Sequence, residues 1–387
     1  MMGTIAEYVW LMLLVVVLGL LRASASADEL LSVSTLSSPT WDGNGYLFYC
    51  PCHGRFGNQA DQFLGSLAFA KAINRTMVLA PWRTYGIMHK MVPFDELFQV
   101  PPLEAYHRVI LAKDFVDTLA PQYWPLNKRK SFCHKIEEKP CTVDQDFFRE
   151  FWDFVGVPDF SGSESVVGLR YEIDAASTWT ERFPGKSFPV IALRGPPAPF
   201  PVPLSQWPLQ KYLVWSDSIQ RGGNTLIRKS FGTQPFLGIH LRNGIDWTRA
   251  CDLLKEPRHG LKNLMASTQC LGENPLLAIT MELCLPTKEA VIEQVTNILT
   301  RHNLKNVYIA TDGDSYLMDF RQALPEVNFV HANPSIPQID LYILGKGTVF
   351  IGNCPSSFSS FVRRERDVNG KPTLYFGLAE AHIHQEL

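Results

Sequence analysis

Short apolar runs that alternate with amphipathic helices restrict this chain to a small set of folds. Runs of strand character occupy residues 236–241, 307–310 and 348–353, and a helical pattern at 288–302 lies between two of them. Strands separated by helices pair in parallel, because each connection has to cross one face of the sheet. Ligand sites in such sheets lie at the carboxyl ends of the strands. The sequence therefore predicts an α/β fold with parallel sheets.

A second unit of the same kind stands near the start of the chain. Residues 46–50 are apolar and aromatic, a glycine-containing loop follows, and a helical pattern runs from 59 to 74. With 387 residues the chain is long enough for two domains. Residues 194–208 carry six prolines and predict an extended, semi-rigid linker. We therefore place the domains at 28–203 and 204–387.

Beyond the linker, further segments have a recognisable pattern. Residues 209–229 predict a helix, and 341–344 form a short apolar run. The strand candidate at 348–353 leads into 356–358 and then into a helix that ends near 363–367.

Charge and composition exclude several classes of protein. The chain has 36 Lys and Arg against 38 Asp and Glu, a formal net charge of −2. Without a basic excess, we expect no binding to nucleic acid or to an anionic membrane surface. Apolar residues make up 46% and aromatic residues 12%, which is too rich for a disordered chain.

Both ends of the chain predict a secretory route. Residues 8–21 are apolar throughout, a stretch shorter than the ~20 residues that a spanning helix needs, and small residues of the A-x-A kind follow Arg22. This pattern predicts a signal peptide at 1–27 and no stable membrane span, with an uncleaved signal anchor as the alternative. Residues 384–387, His-Gln-Glu-Leu, are similar to the retrieval signal of the endoplasmic reticulum. Together with the signal peptide, this tail predicts residence in the lumen of that compartment. Asn74 lies in a glycosylation sequon, so we also expect N-glycosylation there, which fits a secretory route.

The eight cysteines are best explained by that compartment. In an oxidising lumen, disulfides are the default state. Cys50 and Cys52, and likewise Cys133 and Cys141, are close enough in sequence to pair locally, but the pattern alone does not assign partners. The sequence has no C-x-x-C pair, which disfavours a zinc site and a thiol redox motif. The remaining cysteines are Cys251, Cys270, Cys284 and Cys354.

The loop Arg55-Phe56-Gly57-Asn58 is the first candidate ligand site. Gly54 and Gly57 allow a ligand to approach the backbone, and a helix N-terminus follows, whose free N–H groups and dipole favour an anion. Arg55 adds a permanent charge, and Asn58 offers both a donor and an acceptor. The alternative is a tight turn with Asn58 in a capping position. The spacing is not that of a P-loop.

The segment from His240 to Asp246 is the second candidate. His240 and Arg242 point to the same side of an extended chain, at the carboxyl end of a predicted strand. An arginine fork suits a diphosphate because it donates to two oxygens at once and keeps its charge. Asp246 is placed to hold the guanidinium. The alternative is a buried Arg–Asp pair beside a histidine whose hydrogen bonds are satisfied within the protein.

Asp340 and residues 356–358 form the third candidate. A carboxylate accepts bidentately from the paired N1–H and N2–H donors of guanine. Ser357, near a helix start, either binds phosphate or caps the helix, and the residue type alone favours the cap.

Asp312-Gly313-Asp314 has the form of the DxD string that holds a divalent metal in many sugar-nucleotide transferases. The flanking Thr311 and Ser315 are equally typical of an ordinary turn, which we favour. No metal is therefore predicted, and Arg242 and the glycine loop are expected to meet the charge of a leaving group.

Jointly, these segments resemble the GDP-fucose protein O-fucosyltransferase family. The strings that carry the resemblance are Gly-Arg-Phe-Gly-Asn-Gln-Ala-Asp at 54–61, Gly-Ile-His-Leu-Arg at 238–242, Ile-Gly-Asn-Cys at 351–354 and Ser-Ser-Phe at 356–358. The resemblance implies a GT-B fold, in which two Rossmann-like domains face a cleft. It also implies an enzyme that transfers fucose from GDP-β-L-fucose to a Ser or Thr hydroxyl of folded EGF-like repeats, as in Notch-type receptors. The reaction would invert the anomeric centre and need no metal or other cofactor.

The resemblance also implies roles for particular residues. It places the GDP-fucose site at Arg55, Phe56, Gly57 and Asn58 in the first domain and at His240, Arg242, Asp340, Ser357 and Phe358 in the second. It implies the disulfides Cys50–Cys52, Cys133–Cys141, Cys251–Cys284 and Cys270–Cys354. Pro355, just before the serines, departs from the family pattern.

Arg242 and Asn58 are the catalytic candidates. Arg242 is expected to stabilise the negative charge that grows on GDP as it leaves. Asn58 can orient the acceptor hydroxyl but is not a strong base, so we expect departure of the leaving group to run ahead of attack. One alternative function is a related GDP-fucose transferase that acts on a glycan or on thrombospondin-type repeats. Another is a lumenal binder or folding aid for EGF-like repeats.

Overall fold

A computed structural model describes residues 39–84, 90–133, 146–255, 264–272 and 278–378. The described residues from Trp41 onward group into one compact unit. The signal peptide predicted at 1–27 and the tail at 384–387 lie outside the described residues. Within the described ranges, no helix combines the length and the apolar character that crossing a membrane requires.

Most of the described strands belong to two parallel sheets. They are β1 (Tyr46–Tyr49), β2 (Thr76–Leu79), β3 (Trp82–Thr84), β4 (Lys90–Val92), β5 (Val109–Leu111), β6 (Lys130–Cys133), β7 (Gly162–Ser165), β8 (Val190–Leu193), β9 (Leu237–Leu241), β10 (Asn306–Thr311), β11 (Asn328–Val330), β12 (Val349–Gly352) and β13 (Thr373–Tyr375). The first sheet has the order β5-β2-β1-β8-β6-β7 and the second β11-β10-β9-β12-β13, with parallel pairing throughout. β3 and β4 form a separate antiparallel pair. The predicted α/β class is confirmed, and the two sheets come from opposite sides of the proline-rich segment.

Helices connect the strands. They are α1 (Phe56–Ala72), α2 (Phe94–Leu97), α3 (Pro101–Glu104), α4 (Ala112–Asp114), α5 (Ala120–Tyr123), α6 (Asp146–Phe154), α7 (Ala176–Arg182), α8 (Asp217–Phe231), α9 (Ile245–Asp252), α10 (Thr268–Leu271), α11 (Met281–Cys284), α12 (Lys288–His302), α13 (Leu317–Ala323), α14 (Gln338–Lys346) and α15 (Ser357–Asp367). Short 3₁₀ or π turns lie at Phe115–Leu119, Leu126–Lys128, Ile173–Ala175, Leu204–Tyr212 and Leu253–Lys255.

Helix α12 follows the predicted pattern closely. Its start is capped by Thr287, whose hydroxyl accepts from the N–H of Ala290 at 3.2 Å. Its end is set by Asn303, which adopts the left-handed conformation with φ +51°. The predicted core face is buried, namely Val291, Val295, Ile298 and Leu299.

The helix predicted at 209–229 is wrong at its beginning. Residues Leu204–Tyr212 form a 3₁₀ helix that contains Pro208, and α8 begins only at Asp217. The break is marked by Ser216, which adopts an extended conformation and caps the new helix by accepting from the N–H of Ile219. The apolar run 341–344 lies inside helix α14, where it is buried.

The disulfides implied by the family resemblance are present wherever both cysteines are described. Cys50–Cys52, Cys251–Cys284 and Cys270–Cys354 are bonded. Cys133 is also disulfide-bonded, whereas its predicted partner Cys141 lies outside the described residues. Because Cys354 lies between β12 and α15, the Cys270–Cys354 bond fixes the segment around α10 to the loop that precedes α15.

A buried ion pair joins helices that follow strands of different sheets. Asp61 of α1 and Arg364 of α15 are in contact, and both side chains are 0% exposed. Arg364 also donates to Ser360 at 2.7 Å and to Gln210 at 3.2 Å. The second carboxylate oxygen of Asp61 accepts from the N–H of Val202 in the proline-rich segment at 3.2 Å. The pair therefore holds α1, α15 and the connecting segment together.

Candidate active site

A cleft of about 1930 Å³ is lined by the loops that follow β1, β9, β10 and β12. These loops leave the carboxyl ends of parallel strands, where a ligand site is expected. The structure brings together in this cleft the whole donor site that the resemblance implied, which is Arg55, Phe56, Gly57, Asn58, His240, Arg242, Asp340, Ser357 and Phe358. The first four follow strand β1 of the first sheet, whereas the others lie in or after strands of the second sheet.

The loop before α1 is held by a residue that the sequence did not reveal. Gln59 is 1% exposed, and its amide nitrogen donates to the carbonyls of Gly54 and Arg83 at 3.0 and 2.9 Å. Its amide oxygen accepts from the N–H of Arg83 at 3.0 Å. Arg55 is the residue before the helix, and its side chain makes no capping bond. The first turn of α1 therefore presents backbone N–H groups to the cleft without competition from a side-chain cap.

The first turns of α1 and α15 touch each other across the cleft. A Cβ atom on Gly57 would lie 2.6 Å from Ser357 Oγ and 2.7 Å from the Ser357 carbonyl carbon. Only glycine permits this approach. Ser357 Oγ donates to Asn58 Oδ1 at 2.6 Å, so the amide group of Asn58 is held at the junction. The two helix N-termini thus converge on one place.

The interpretation of Ser357 as a helix cap is wrong. Ser356 occupies the capping position of α15, and its side chain makes no capping bond. The Ser357 hydroxyl instead donates a hydrogen bond to the side chain of Asn58 in α1. This partner lies 299 residues away in sequence, so local pattern could not indicate it.

His240 is a buried, neutral group at the end of β9. It is 3% exposed, and its Nδ1 hydrogen-bonds to Ser359 Oγ at 2.7 Å. Its ring centroid lies 4.7 Å from that of Phe358. Burial, with a smaller contribution from the charge of Arg242, lowers the pKa of His240 to about 3. The imidazole is therefore uncharged at physiological pH and lies beside the guanidinium without competing with it for anions.

Arginines from both sheets meet at Asp246. Arg242 contacts this carboxylate at 2.8 Å and Arg55 at 3.0 Å, so the prediction that Asp246 holds Arg242 is confirmed. The Arg242 guanidinium also lies 4.9 Å from the ring of Trp247. Burial acts to raise the pKa of Asp246, but the bond from Arg242 and the charges of Arg242 and Arg55 outweigh it and hold that pKa below its ordinary value.

The prediction that Asp312-Gly313-Asp314 is only a turn is incomplete. Asp314 fits it, since its carboxylate accepts from the nearby N–H of Tyr316 at 2.9 Å. Asp312 does not, because its Oδ1 accepts from the N–H groups of Asn243 and Gly244, each at 3.2 Å, and its Oδ2 contacts Arg242. Asp312 therefore belongs to the group of residues that hold Arg242 in place. Among the described residues, no group of three or more His, Cys, Asp or Glu side chains is arranged to hold a metal ion.

Asp340 lies in the first turn of α14 and faces the cleft. Its Oδ1 accepts from the hydroxyl of Tyr308 at 2.6 Å. Burial raises the pKa of Asp340 to about 6, although the Tyr308 bond and the charge of His331 act in the opposite direction.

The loop before α15 is supported from behind by Gln269, another residue that the sequence did not reveal. Gln269 is 2% exposed and donates to the carbonyls of Cys354 and Ser356 at 2.7 and 2.9 Å. Its amide oxygen accepts from the hydroxyl of Tyr375 at 3.0 Å. Pro355, the departure from the family pattern, accepts from the N–H of Ala266 at 3.0 Å and leaves the loop intact.

Comparison with known proteins confirms the resemblance. A family model described as GDP-fucose protein O-fucosyltransferase matches residues 46–369. GDP-fucose protein O-fucosyltransferase 1 of Caenorhabditis elegans is 37% identical over 384 residues, which covers 94% of this chain and 98% of the relative. GDP-fucose protein O-fucosyltransferase 2 of Homo sapiens is 22% identical over 420 residues, with 90% and 89% covered.

Solved structures show the same architecture. The crystal structure of POFUT1 in complex with GDP-fucose matches with a TM-score of 0.83 at 36% identity, covering 89% of this chain and 100% of that one. POFUT1 in complex with GDP matches with a TM-score of 0.82 at 38% identity, covering 87% and 100%. The fold is therefore GT-B, as the resemblance implied. This chain belongs to the GDP-fucose protein O-fucosyltransferase family, a family of glycosyltransferases.

Proposed function

We propose that this enzyme transfers fucose from GDP-fucose to a Ser or Thr hydroxyl of folded EGF-like repeats, such as those of Notch-type receptors. The observation that carries the proposal is the convergence of two uncapped helix N-termini and two arginines on one cleft. Arg55 and Arg242 reach the same carboxylate from different sheets, and Gly57 lies against Ser357 beside them. Such an arrangement suits a diphosphate, which accepts both from N–H groups and from guanidinium forks.

The donor is proposed to lie along the cleft between these groups and Asp340. Arg242 and Arg55 supply positive charge to the diphosphate, and Asp340 accepts from the paired donors of guanine. His240 and Phe358 contribute apolar and hydrogen-bonding surface without adding charge. The GDP-fucose complex of the related POFUT1 supports this choice of donor.

Catalysis is proposed to come mainly from stabilising the departing GDP. Negative charge grows on the diphosphate as the glycosidic bond breaks, so a guanidinium fixed beside it binds the transition state more tightly than the ground state. Asn58, held by Ser357, orients the acceptor hydroxyl for attack from the opposite face, which inverts the anomeric centre. Asp246 and Asp312, the two carboxylates that contact Arg242, are already engaged with cations and are therefore poor bases. Departure of GDP therefore runs ahead of attack.

We also propose that the transfer needs no metal. The DxD string would be the natural ligand for one, yet Asp312 is engaged with two backbone N–H groups and with Arg242. The arginines and helix termini then take the place that a divalent cation has in metal-dependent transferases.

The endoplasmic reticulum lumen is the proposed location. The disulfides are those expected of an oxidising compartment. Asn74, the proposed glycosylation site, is exposed and adopts a left-handed conformation with φ +55° at the end of α1. A large polar glycan fits such a surface turn.

Replacing Arg242 by Ala tests the donor site. Because the guanidinium is proposed to stabilise charge that develops in the transition state, we expect kcat with GDP-fucose and a folded EGF-like repeat to fall by about 10²–10³-fold. Arg249→Ala is the control, since Arg249 lies in helix α9, a few residues after Arg242, is exposed and does not line the cleft. Turnover of the Arg242→Ala variant within a few-fold of the control would contradict the proposal.

A further inference from the structure

Tyr308 lies directly behind the proposed nucleotide site. It occupies β10, which pairs with β9 on one side and with β11 on the other, so its backbone is fixed in the interior of the sheet. Its side chain is 0% exposed, and its hydroxyl donates to Asp340 Oδ1 at 2.6 Å. The bond therefore connects a rigid strand to the first turn of α14. None of the roles assigned so far uses this hydroxyl.

The bond leaves Asp340 able to accept a pair of donors. An ionised carboxylate has about four lone-pair positions on its two oxygens. Tyr308 takes one position on Oδ1, and among the described residues no other hydrogen bond to the carboxylate is seen, which leaves Oδ2 and the second position on Oδ1 for a ligand in the cleft that Asp340 lines. Two parallel N–H donors, such as N1–H and N2–H of guanine, need one acceptor on each oxygen in one plane. The hydroxyl sets that plane by holding one oxygen.

We propose that Tyr308 is a positioning residue for base recognition, which fixes the Asp340 carboxylate in the orientation that selects guanine over bases without the paired donors. The inference rests on the proposed function, because it takes Asp340 as the acceptor for the base. Tyr308 itself does not touch the donor. It acts through Asp340 and therefore determines the base specificity indirectly.

The charge state of Asp340 gives the inference a readout that packing alone would not provide. The groups that act on this carboxyl from the packed elements are Tyr308 of β10 and His331, which follows β11 and hydrogen-bonds to the carbonyl of Ile309 at 3.0 Å. On the helices packed beside α14, Glu365 of α15 lies farther along, against Gly345. Burial raises the pKa of Asp340 to about 6, and the hydroxyl bond opposes this rise because it stabilises the charged form.

The direction of the pH effect follows from these causes. Guanine needs the ionised carboxylate, so GDP affinity is full above the pKa of Asp340 and falls as the pH drops through it. Without the Tyr308 hydroxyl that pKa rises further, and the loss of affinity begins at a higher pH.

The test compares Tyr308→Phe with Tyr342→Phe. The control removes a hydroxyl from α14 itself, where Tyr342 donates to Asn224 at 3.0 Å outside the proposed site. Calorimetric titrations with GDP and with inosine diphosphate, which lacks the 2-amino group, are run on the full chain between about pH 5 and pH 8. For Tyr308→Phe we expect GDP to bind about tenfold more weakly near neutral pH, inosine diphosphate to lose less, and the acid limb of GDP binding to move to higher pH. The control should retain the wild-type affinity, selectivity and pH profile.

Asp340→Asn separates this inference from the proposed function. If Asp340→Asn weakens GDP binding but Tyr308→Phe binds both nucleotides as the wild type does, Tyr308 has no positioning role and the donor site stands. Equal losses for the two nucleotides in Tyr308→Phe, at every pH, would mean a general structural effect and would likewise overturn the inference. Wild-type binding by Asp340→Asn would overturn both the inference and the proposed base contact.

Discussion

Two carboxylates hold Arg242, and they differ in how firmly they are held themselves. Asp246 is 47% exposed and is shared with Arg55. Asp312 is 26% exposed and is anchored by the N–H groups of Asn243 and Gly244. Asp312 is therefore the fixed support that sets the direction of the guanidinium. A misplaced catalytic group costs rate even when it is still present.

The two acidic residues of the DxD string should therefore behave differently. We expect Asp312→Ala to lower kcat/KM by about tenfold to a hundredfold, the range seen when a partner that orients a functional group is lost. Asp314→Ala should stay close to the wild type, because the Asp314 side chain only supports the turn at Tyr316. Steady-state kinetics with and without EDTA measure both effects.

A metal site would give a different pattern. Equal losses in both variants, together with activity that EDTA removes and Mn²⁺ restores, would contradict the role assigned to Asp312 and the proposal that no metal is needed.

The structure brings together in the cleft the candidate residues that stand in contiguous strings at strand ends. Arg55 to Asn58, and His240 with Arg242, all line the cleft. The sequence did not reveal Tyr308, Gln59 or Gln269, since each acts through a partner in another element. Tyr308 and Asp340, for example, are 32 residues apart. Hydrogen bonds between elements are fixed by packing, which residue type and spacing do not encode.

At the scale of elements, the site depends on how closely two helix N-termini approach each other. α1 and α15 meet with no room for a side chain at Gly57, and Ser357 bonds to Asn58 at the same place. The dipole and free N–H groups of each helix act only within its first turn, so a small separation weakens both contributions.

A single methyl group at this junction should therefore impair catalysis. In Gly57→Ala the new Cβ meets Ser357 Oγ and backbone at less than 3 Å, so the two helices have to separate. We expect kcat/KM for GDP-fucose to fall by about 10²-fold. Gly43→Ala is the control, since no atom lies within 4 Å of its new Cβ. Kinetics of the Gly57→Ala variant that match those of the control would show that the helices tolerate separation.

Elements with a clear hydrophobic period, such as α12, were predictable, but the junctions between elements were not. The core face of α12 is the one that the spacing of Val291 and Val295 indicates. The boundary between the 3₁₀ helix and α8 was not predicted. Ser216 caps α8 because its backbone is extended, and the apolar pattern does not specify the backbone conformation at that residue. The DxD string was likewise taken for a local turn because the bond from Asp312 to the loop after β9 is not local.

At the scale of the whole molecule, a continuous core connects the two sheets. The rings of Phe98 and Trp215 stack with centroids 4.6 Å apart, and Trp215 packs on Phe361 of α15 at 5.0 Å. The Asp61–Arg364 pair lies in the same region, between α1 and α15. This shared core therefore fixes the two sides of the cleft relative to each other.

Breaking the buried pair should destabilise the protein as a whole. Asp61→Asn leaves the Arg364 charge buried without its partner, and we expect the free energy of unfolding to fall by about 3–5 kcal/mol. Asp174→Asn in the exposed Arg170–Asp174 pair is the control and should change it by less than about 1 kcal/mol. Denaturant unfolding followed by tryptophan fluorescence measures both values. Equal stability of the two variants would show that the Asp61–Arg364 pair does not hold α1 and α15 together.

The parallel α/β architecture was predictable because alternating strands and helices leave few ways to bury their apolar faces. The packing of α1 against α15 was not predictable, since Asp61 and Arg364 are 303 residues apart and neither carries a local signal for the contact. The family resemblance supplied the GT-B arrangement, which the structural comparisons then confirmed.

Transfer of fucose to a folded EGF-like repeat is the claim on which the account depends. The most direct measurement incubates the full chain with GDP-fucose and a folded EGF-like repeat and records the intact mass of the repeat. We predict a gain of one deoxyhexose on the folded repeat, and none on a reduced, unfolded repeat or with the Arg242→Ala variant. An unchanged mass, while a glycan or a thrombospondin-type repeat is fucosylated or GDP-fucose is merely hydrolysed, would contradict the account.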